Sequence, residues 1–217
     1  MKKIIIIILI FLIPTTILAY NENQLLKGIT IVIDAGHGGM DKGASSQNVE
    51  EAPLNLIITK KLEKELLKLG CNVVLTRKDN EDLSNTSHFS KREDMKERIR
   101  IINDEKNDIF ISIHMNQFQN PTVKGLHVFY NPSNNQSLEF ASIIQKEVNE
   151  QLKQNKQIKK GDFYILNKTR IPGILIECGF LSNNEDRNNL LDEKYQDKMI
   201  DCFIKGMIQY FENKNII

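Results

Sequence analysis

The chain has 217 residues, 41% of them hydrophobic and 26% charged, the proportions of a globular protein with one sizeable core rather than of a disordered chain. Lys and Arg number 29 against 28 Asp and Glu, a formal net charge of +1, which speaks against an extended nucleic-acid surface and predicts no nucleic-acid partner. The three cysteines, Cys71, Cys178 and Cys202, are odd in number and show no paired spacing, so a disulfide framework is not expected.

The chain opens with "MKKIIIIILIFLIPTTILAY". Lys2 and Lys3 precede an apolar run from Ile4 to Ile13, then Pro14 and the small residue Ala19, the layout of a secretory signal peptide over residues 1–20. Ile17 suits small-x-small cleavage poorly, so an N-terminal membrane anchor is the alternative. The run is short for a span, which takes about 20 apolar residues. On either reading the remainder is exported.

From residue 28 strands and helices alternate. "GITIVID" (28–34) reads as a buried strand. A helical stripe follows in Leu54, Ile58, Leu62, Leu66 and Leu69, with Pro53 in its first turn and Gly70 at its end. "NVVLT" (72–76) is a second strand, and Met95, Ile99 and Ile102 mark another helix beyond a polar loop at 80–90. "DIFISIH" (108–114) and "GLHVFY" (125–130) read as strands, and Leu138, Ala141, Ile144, Val148 and Leu152 as a third helix. The lysine-rich "KQNKQIKK" (153–160) is expected at the surface, "FYIL" (163–166) as a short strand, and "GILIECGF" (173–180) as a buried one. Tyr195, Met199, Phe203, Met207 and Tyr210 give a closing helix, and Cys178 and Cys202 fall among apolar positions as small core residues. The pattern predicts a single α/β domain whose mainly parallel, twisted sheet is flanked by helices on both faces.

Three strands end in residues that can bind metal: "IVIDAGH" delivers His37, "FISIH" delivers His114 and "ILIE" delivers Glu177. In open α/β sheets ligands bind beyond the carboxyl ends of the strands, so these distant residues can meet there. Glu51 enters from the start of the first helix. Two histidines and two glutamates suffice for a catalytic zinc site, which needs three ligands, an open position and a nearby group to move protons. Each residue alone has a plainer reading: a hydrogen-bonded histidine, a helix-dipole glutamate, a glutamate paired with a lysine or arginine. "GHGG" lacks the G-x-G-x-x-G spacing, no P-loop or G-x-S-x-G elbow is present, and His88 and His127 read as bystanders.

Four motifs in order then carry a resemblance. "IVIDAGHGGMDKGA", "EAPLNLIITKKLEKELLKLG" with "VVLTR", "ISIHMN", and "IPGILIECGFLSN" are similar to the signatures of the zinc-dependent N-acetylmuramoyl-L-alanine amidases of the amidase_3 type. Ala35 stands where that family often has proline, and Pro53 where a polar residue is usual. The resemblance implies a catalytic domain over 28–214, zinc held by His37, Glu51 and His114, and Glu177 as catalytic acid/base. Glu51, not its neighbour Glu50, has the family's spacing to Asn55. The implied reaction cleaves the amide between the lactyl group of N-acetylmuramic acid and L-alanine in peptidoglycan. "YNPSNNQSLEFASIIQ" and "DFYILNKTRIPG" look most like the germination-specific, spore-cortex branch, whose amidases act on the way to muramic-δ-lactam. A protein partner that orders the metal site, and membrane association through the leader, complete the expectations. The rival readings are a zinc peptidase on wall peptides and a catalytically silent wall-binding protein.

Overall fold

The computed structural model describes residues 24–84 and 88–217. The leader at 1–20 lies outside the described residues. Among those described, no helix is long and apolar enough to cross a membrane.

The sheet's strands are β1 (Thr30–Ala35), β4 (Asn72–Leu75), β5 (Ile109–Asn116), β6 (His127–Tyr130), β7 (Lys159–Lys160) and β8 (Gly173–Phe180), in the order β4-β1-β5-β8-β6-β7. The pairs β4/β1, β1/β5, β5/β8 and β6/β7 are parallel, and β6 runs antiparallel to β8. A separate two-stranded hairpin, β2 (Ser45–Ser46) with β3 (Val49–Glu50), leads into the first helix. The helices are α1 (Glu51–Lys68), α2 (Lys91–Ile102), α3 (Asn135–Gln151), α4 (Tyr164–Lys168), α5 (Asn184–Leu191) and α6 (Glu193–Asn213).

Period-two alternation sorts the strand side chains into two layers. Ile31, Ile33, Ile111, Ile113, Ile174 and Ile176 face a large core shared with α1, α3 and α6. Val32, Phe110 and Leu175 point the other way, onto Ile102, Ile165 and Leu166 of α2 and α4. This second layer is thin because α4 has only five residues. Towards the carboxyl ends of the strands the side chains on this face become polar: Asp34 on β1, Ser112 and His114 on β5, Glu177 on β8.

Two expectations change. "FYIL" is not a strand. Residues 164–168 form α4, because β7 takes the sheet edge and adjacent Ile165 and Leu166 both need burial, which one helical turn provides and a strand does not. Thr169 closes that turn, its N–H and hydroxyl both donating to the Ile165 carbonyl. On α3 the buried stripe runs through Ser137, Phe140, Ala141, Ile144 and Val148, while Leu138 is 39% exposed. The loop after β4 is less free than its polarity suggests: Gly39 donates to the Asn80 carbonyl, and Leu83 N donates to Asp94 Oδ1 at 2.8 Å. Helix α5 was not anticipated, although Asn183 caps it by accepting from Asp186 N. All three cysteines are unpaired and buried, Cys178 and Cys202 in the core as expected.

Candidate metal centre and its support

Beyond β1 the Gly36 amide donates to the Ile113 carbonyl at 3.0 Å, one step past the strand, and the chain then turns sharply at His37. His37 adopts φ 60°, a left-handed conformation unusual for a residue with a Cβ. The turn swings its ring toward β5, where the His37 and His114 rings meet edge-on at 4.9 Å. Glu51, the first residue of α1, is 3% exposed and brings its carboxylate between them: Oε1 lies 3.3 Å from His37 Nε2 and 2.9 Å from His114 Nδ1. Donor atoms from the three residues all lie within 4.8 Å of one another.

Two glycines leave room for this. A Cβ on Gly36 would run into the His114 ring, and one on Gly43 (φ 67°) would meet the Glu51 carboxylate and the edge of His37. The Glu51 carboxylate is fixed by Ala44 N at 2.7 Å, Met115 N at 3.0 Å and Asn55 Nδ2 at 3.2 Å. Burial alone would raise its pKa, but hydrogen bonds from His114 and His37 outweigh burial and hold it far below the usual carboxylate range. A permanently anionic oxygen beside two imidazoles is a donor set for a borderline divalent cation.

Glu177 pairs in register with His114 on the adjacent strand and is 9% exposed. Its Oε2 is buried without a hydrogen-bond partner. Burial pushes its carboxyl up to about 7, with the Glu51 charge adding and His114 opposing. The arrangement thus places a poised carboxylic acid next to a potential cation site, both opening into a cleft of about 320 Å³. Lys91 and Met95 of α2 wall it on one flank, Tyr164 and Ile165 of α4 on another.

All four residues expected from the sequence converge here. His88 does not line the cleft. His127 does not line it either, but it is buried, directly across from Glu177 on β6, and burial with nearby Lys159 lowers its pKa to about 4. It is a neutral core histidine, in line with the bystander reading.

The sequence reading assigned no role to the layer beneath. Asp41 Oδ2 lies 2.9 Å from His37 Nδ1, a carboxylate–histidine contact that orients the ring and makes it more basic. Asn55 sits one helical turn from Glu51 and donates to both it and the Gly36 carbonyl at 3.0 Å. Arg77 and Arg98, 2% and 1% exposed, lie below with Asp34 and Asp94. The available signals were the i,i+4 spacings Glu51–Asn55, His37–Asp41 and Asp94–Arg98, and the arginine ending "VVLTR".

Residues 31–209 match the family described as N-acetylmuramoyl-L-alanine amidase. The germination-specific N-acetylmuramoyl-L-alanine amidase of Bacillus subtilis is 33% identical over 195 residues, covering 87% of this chain and 82% of that protein. The CwlD amidase of Clostridioides difficile, solved in complex with the GerS lipoprotein, superposes with a TM-score of 0.80 at 36% identity, covering 85% of this chain and 98% of that one. A second solved N-acetylmuramoyl-L-alanine amidase, from Clostridium difficile 630, gives a TM-score of 0.78 at 33% identity over 87% of this chain and 99% of that one. With a family match across most of its length and relatives of this identity along nearly their whole chains, the protein belongs to the N-acetylmuramoyl-L-alanine amidase family.

Proposed function

We propose that this protein hydrolyses the amide between the lactyl group of N-acetylmuramic acid and L-alanine in peptidoglycan, with His37, Glu51 and His114 holding zinc and Glu177 moving the proton. The observation that carries this reading is the adjacency, in register on neighbouring strands, of His114 from the two-histidine, one-glutamate cluster and the buried Glu177. A divalent cation in that cluster supplies Lewis acidity, activating water and polarising the scissile carbonyl. The protein's own groups do the rest. Glu51, anionic and fully hydrogen-bonded, fixes the site's charge. Glu177, beside His114 on the neighbouring strand, takes a proton from the attacking water and returns it to the leaving amine of L-alanine. The cleft's open mouth admits a substrate that continues as glycan on one side of the bond and peptide on the other.

The likeness to a germination-specific amidase supports spore cortex as the wall acted upon. The leader pattern at 1–20 supports action outside the cytoplasmic membrane, secreted or anchored. The complex of the structural relative with a lipoprotein supports a protein partner here as well.

The test is incubation of the purified protein with cortex and with vegetative peptidoglycan, with and without chelator. New N-terminal alanine and peptide-free muramic acid are expected, abolished by chelation and restored by zinc. Cleavage within the stem peptide alone would establish the zinc peptidase, and binding without cleavage the silent wall-binder. Glu177→Ala is expected to keep its metal and lose turnover; loss of both would move Glu177 into the ligand set.

A further inference from the structure

Three consecutive carbonyls at the end of β1 are gripped by side chains from elsewhere. The Ala35 carbonyl accepts from Arg77 Nε at 2.9 Å and Arg98 Nη1 at 2.7 Å. The Gly36 carbonyl accepts from Arg77 Nη2 and Asn55 Nδ2, both at 3.0 Å. The His37 carbonyl accepts from Arg98 Nη2 at 2.6 Å. We propose that Arg98, assisted by Arg77, is a positioning residue for the metal centre: its guanidinium locks the left-handed turn at His37 and thereby sets how tightly the site holds its cation.

The argument is geometric. An L residue at φ 60° relaxes toward negative φ unless its surroundings prevent it. That relaxation would rotate the His37 carbonyl off Arg98 and carry the imidazole away from Glu51 and His114. Arg98 can resist because it is itself immobile. Its Nε and Nη2 form a fork onto Asp94 at 2.7 and 3.2 Å, and its Nη1 meets Asp34 Oδ1 at 2.8 Å. Asp34 is held in turn by the Thr76 and Ser112 hydroxyls at 2.8 and 2.6 Å. Two arginines balanced by two aspartates give a buried cluster of no net charge, every member of which is hydrogen-bonded. Only a planar fork with five N–H groups can reach Asp34, Asp94 and two carbonyls at once; an ammonium replaces the charge and not the reach. The sequence reading passed over Arg98 because the helix there announces itself through Met95, Ile99 and Ile102.

This inference rests on the metal site proposed above, and zinc affinity measured by competition with a chromophoric chelator separates the two. Absence of zinc binding by the unaltered protein would remove the metal site itself. With that binding established, R98K is expected to fold, since it keeps a cation beside Asp34 and Asp94, and to bind zinc 10- to 100-fold more weakly, the range typical when support to a metal-bound histidine is lost. R77K is expected to weaken binding less, because the Ala35 and Gly36 carbonyls keep Arg98 and Asn55 as donors. Phe203→Ala, in the core on the other face of the sheet, serves as a control: it lowers the melting temperature and leaves zinc affinity unchanged. R98K that binds zinc like the unaltered protein overturns the proposal. So does R98K that fails to fold, or a Phe203→Ala protein that loses affinity to the same degree, since either outcome makes Arg98 plain structural cement.

Discussion

Replacing Glu177 with Gln removes the charge and preserves the shape of the side chain, and it has a calculable effect on the metal-free protein. Burial raises the Glu177 carboxyl from 4.5 to about 7 in the folded state. The folded protein therefore binds this proton more tightly than the unfolded chain does. Stability falls as pH rises from 4.5, and the loss is complete above 7. A displacement of this size corresponds to about 3 kcal/mol. Glutamine escapes the loss. With chelator present, Glu177→Gln is expected to exceed the unaltered protein at pH 8 by about 3 kcal/mol, or roughly 6–12 °C in Tm for a domain of this size. The gap should shrink toward zero at pH 4.5. Urea unfolding at both pH values with chelator measures it, and a repeat with zinc should show a smaller gap, since a nearby cation stabilises the carboxylate. An equal gap at pH 4.5 and pH 8 would refute the reasoning, because the substitution would then act through packing. A wild-type protein at least as stable as the variant at pH 8 would mean that Glu177 ionises at no cost.

Gly36→Ala drives a methyl group against the His114 ring, so bound zinc, measured by elemental analysis, should fall at least tenfold while the fold loses about 1–3 kcal/mol. Lys61→Ala breaks a 2.6 Å pair with Asp197, whose side chain is 66% exposed; it should move stability by no more than about 1 kcal/mol, and a larger drop in Tm would show that the pair is not solvent-screened. Cys71, Cys178 and Cys202 are free and buried, so reductant should leave Tm unchanged and a thiol reagent should find three thiols only after unfolding. Reaction of any thiol in the folded protein would contradict their burial.

The strands that carry the site were legible because each is buried on both faces and reads as a nearly continuous apolar run, as in "IVI", "IFISI" and "GILI". The residue ending such a run has to sit at the sheet edge, so His37, His114 and Glu177 could be placed together without coordinates. Where two local signals competed, the sequence misled: "FYIL" suits a strand or a helical turn equally, and only its position behind the edge strand β7 made it α4. The same holds for Leu138, whose place on the helical stripe went to Phe140 two residues on.

The amino-acid sequence by itself determined the α/β fold with helices on both faces of the sheet and, through its motifs, the family, and it named the four residues that meet in the cleft. Tertiary structure decided what supports them. Asp34 ends β1, Arg77 follows β4, and Asp94 and Arg98 share α2; the i,i+4 spacing pairs the last two with each other, and nothing along the chain announces that all four meet at one turn. Local pattern records which face a side chain takes, because that is set by helix and strand periodicity. It does not record which distant carbonyl a long, flexible arginine reaches, because that depends on how the elements pack.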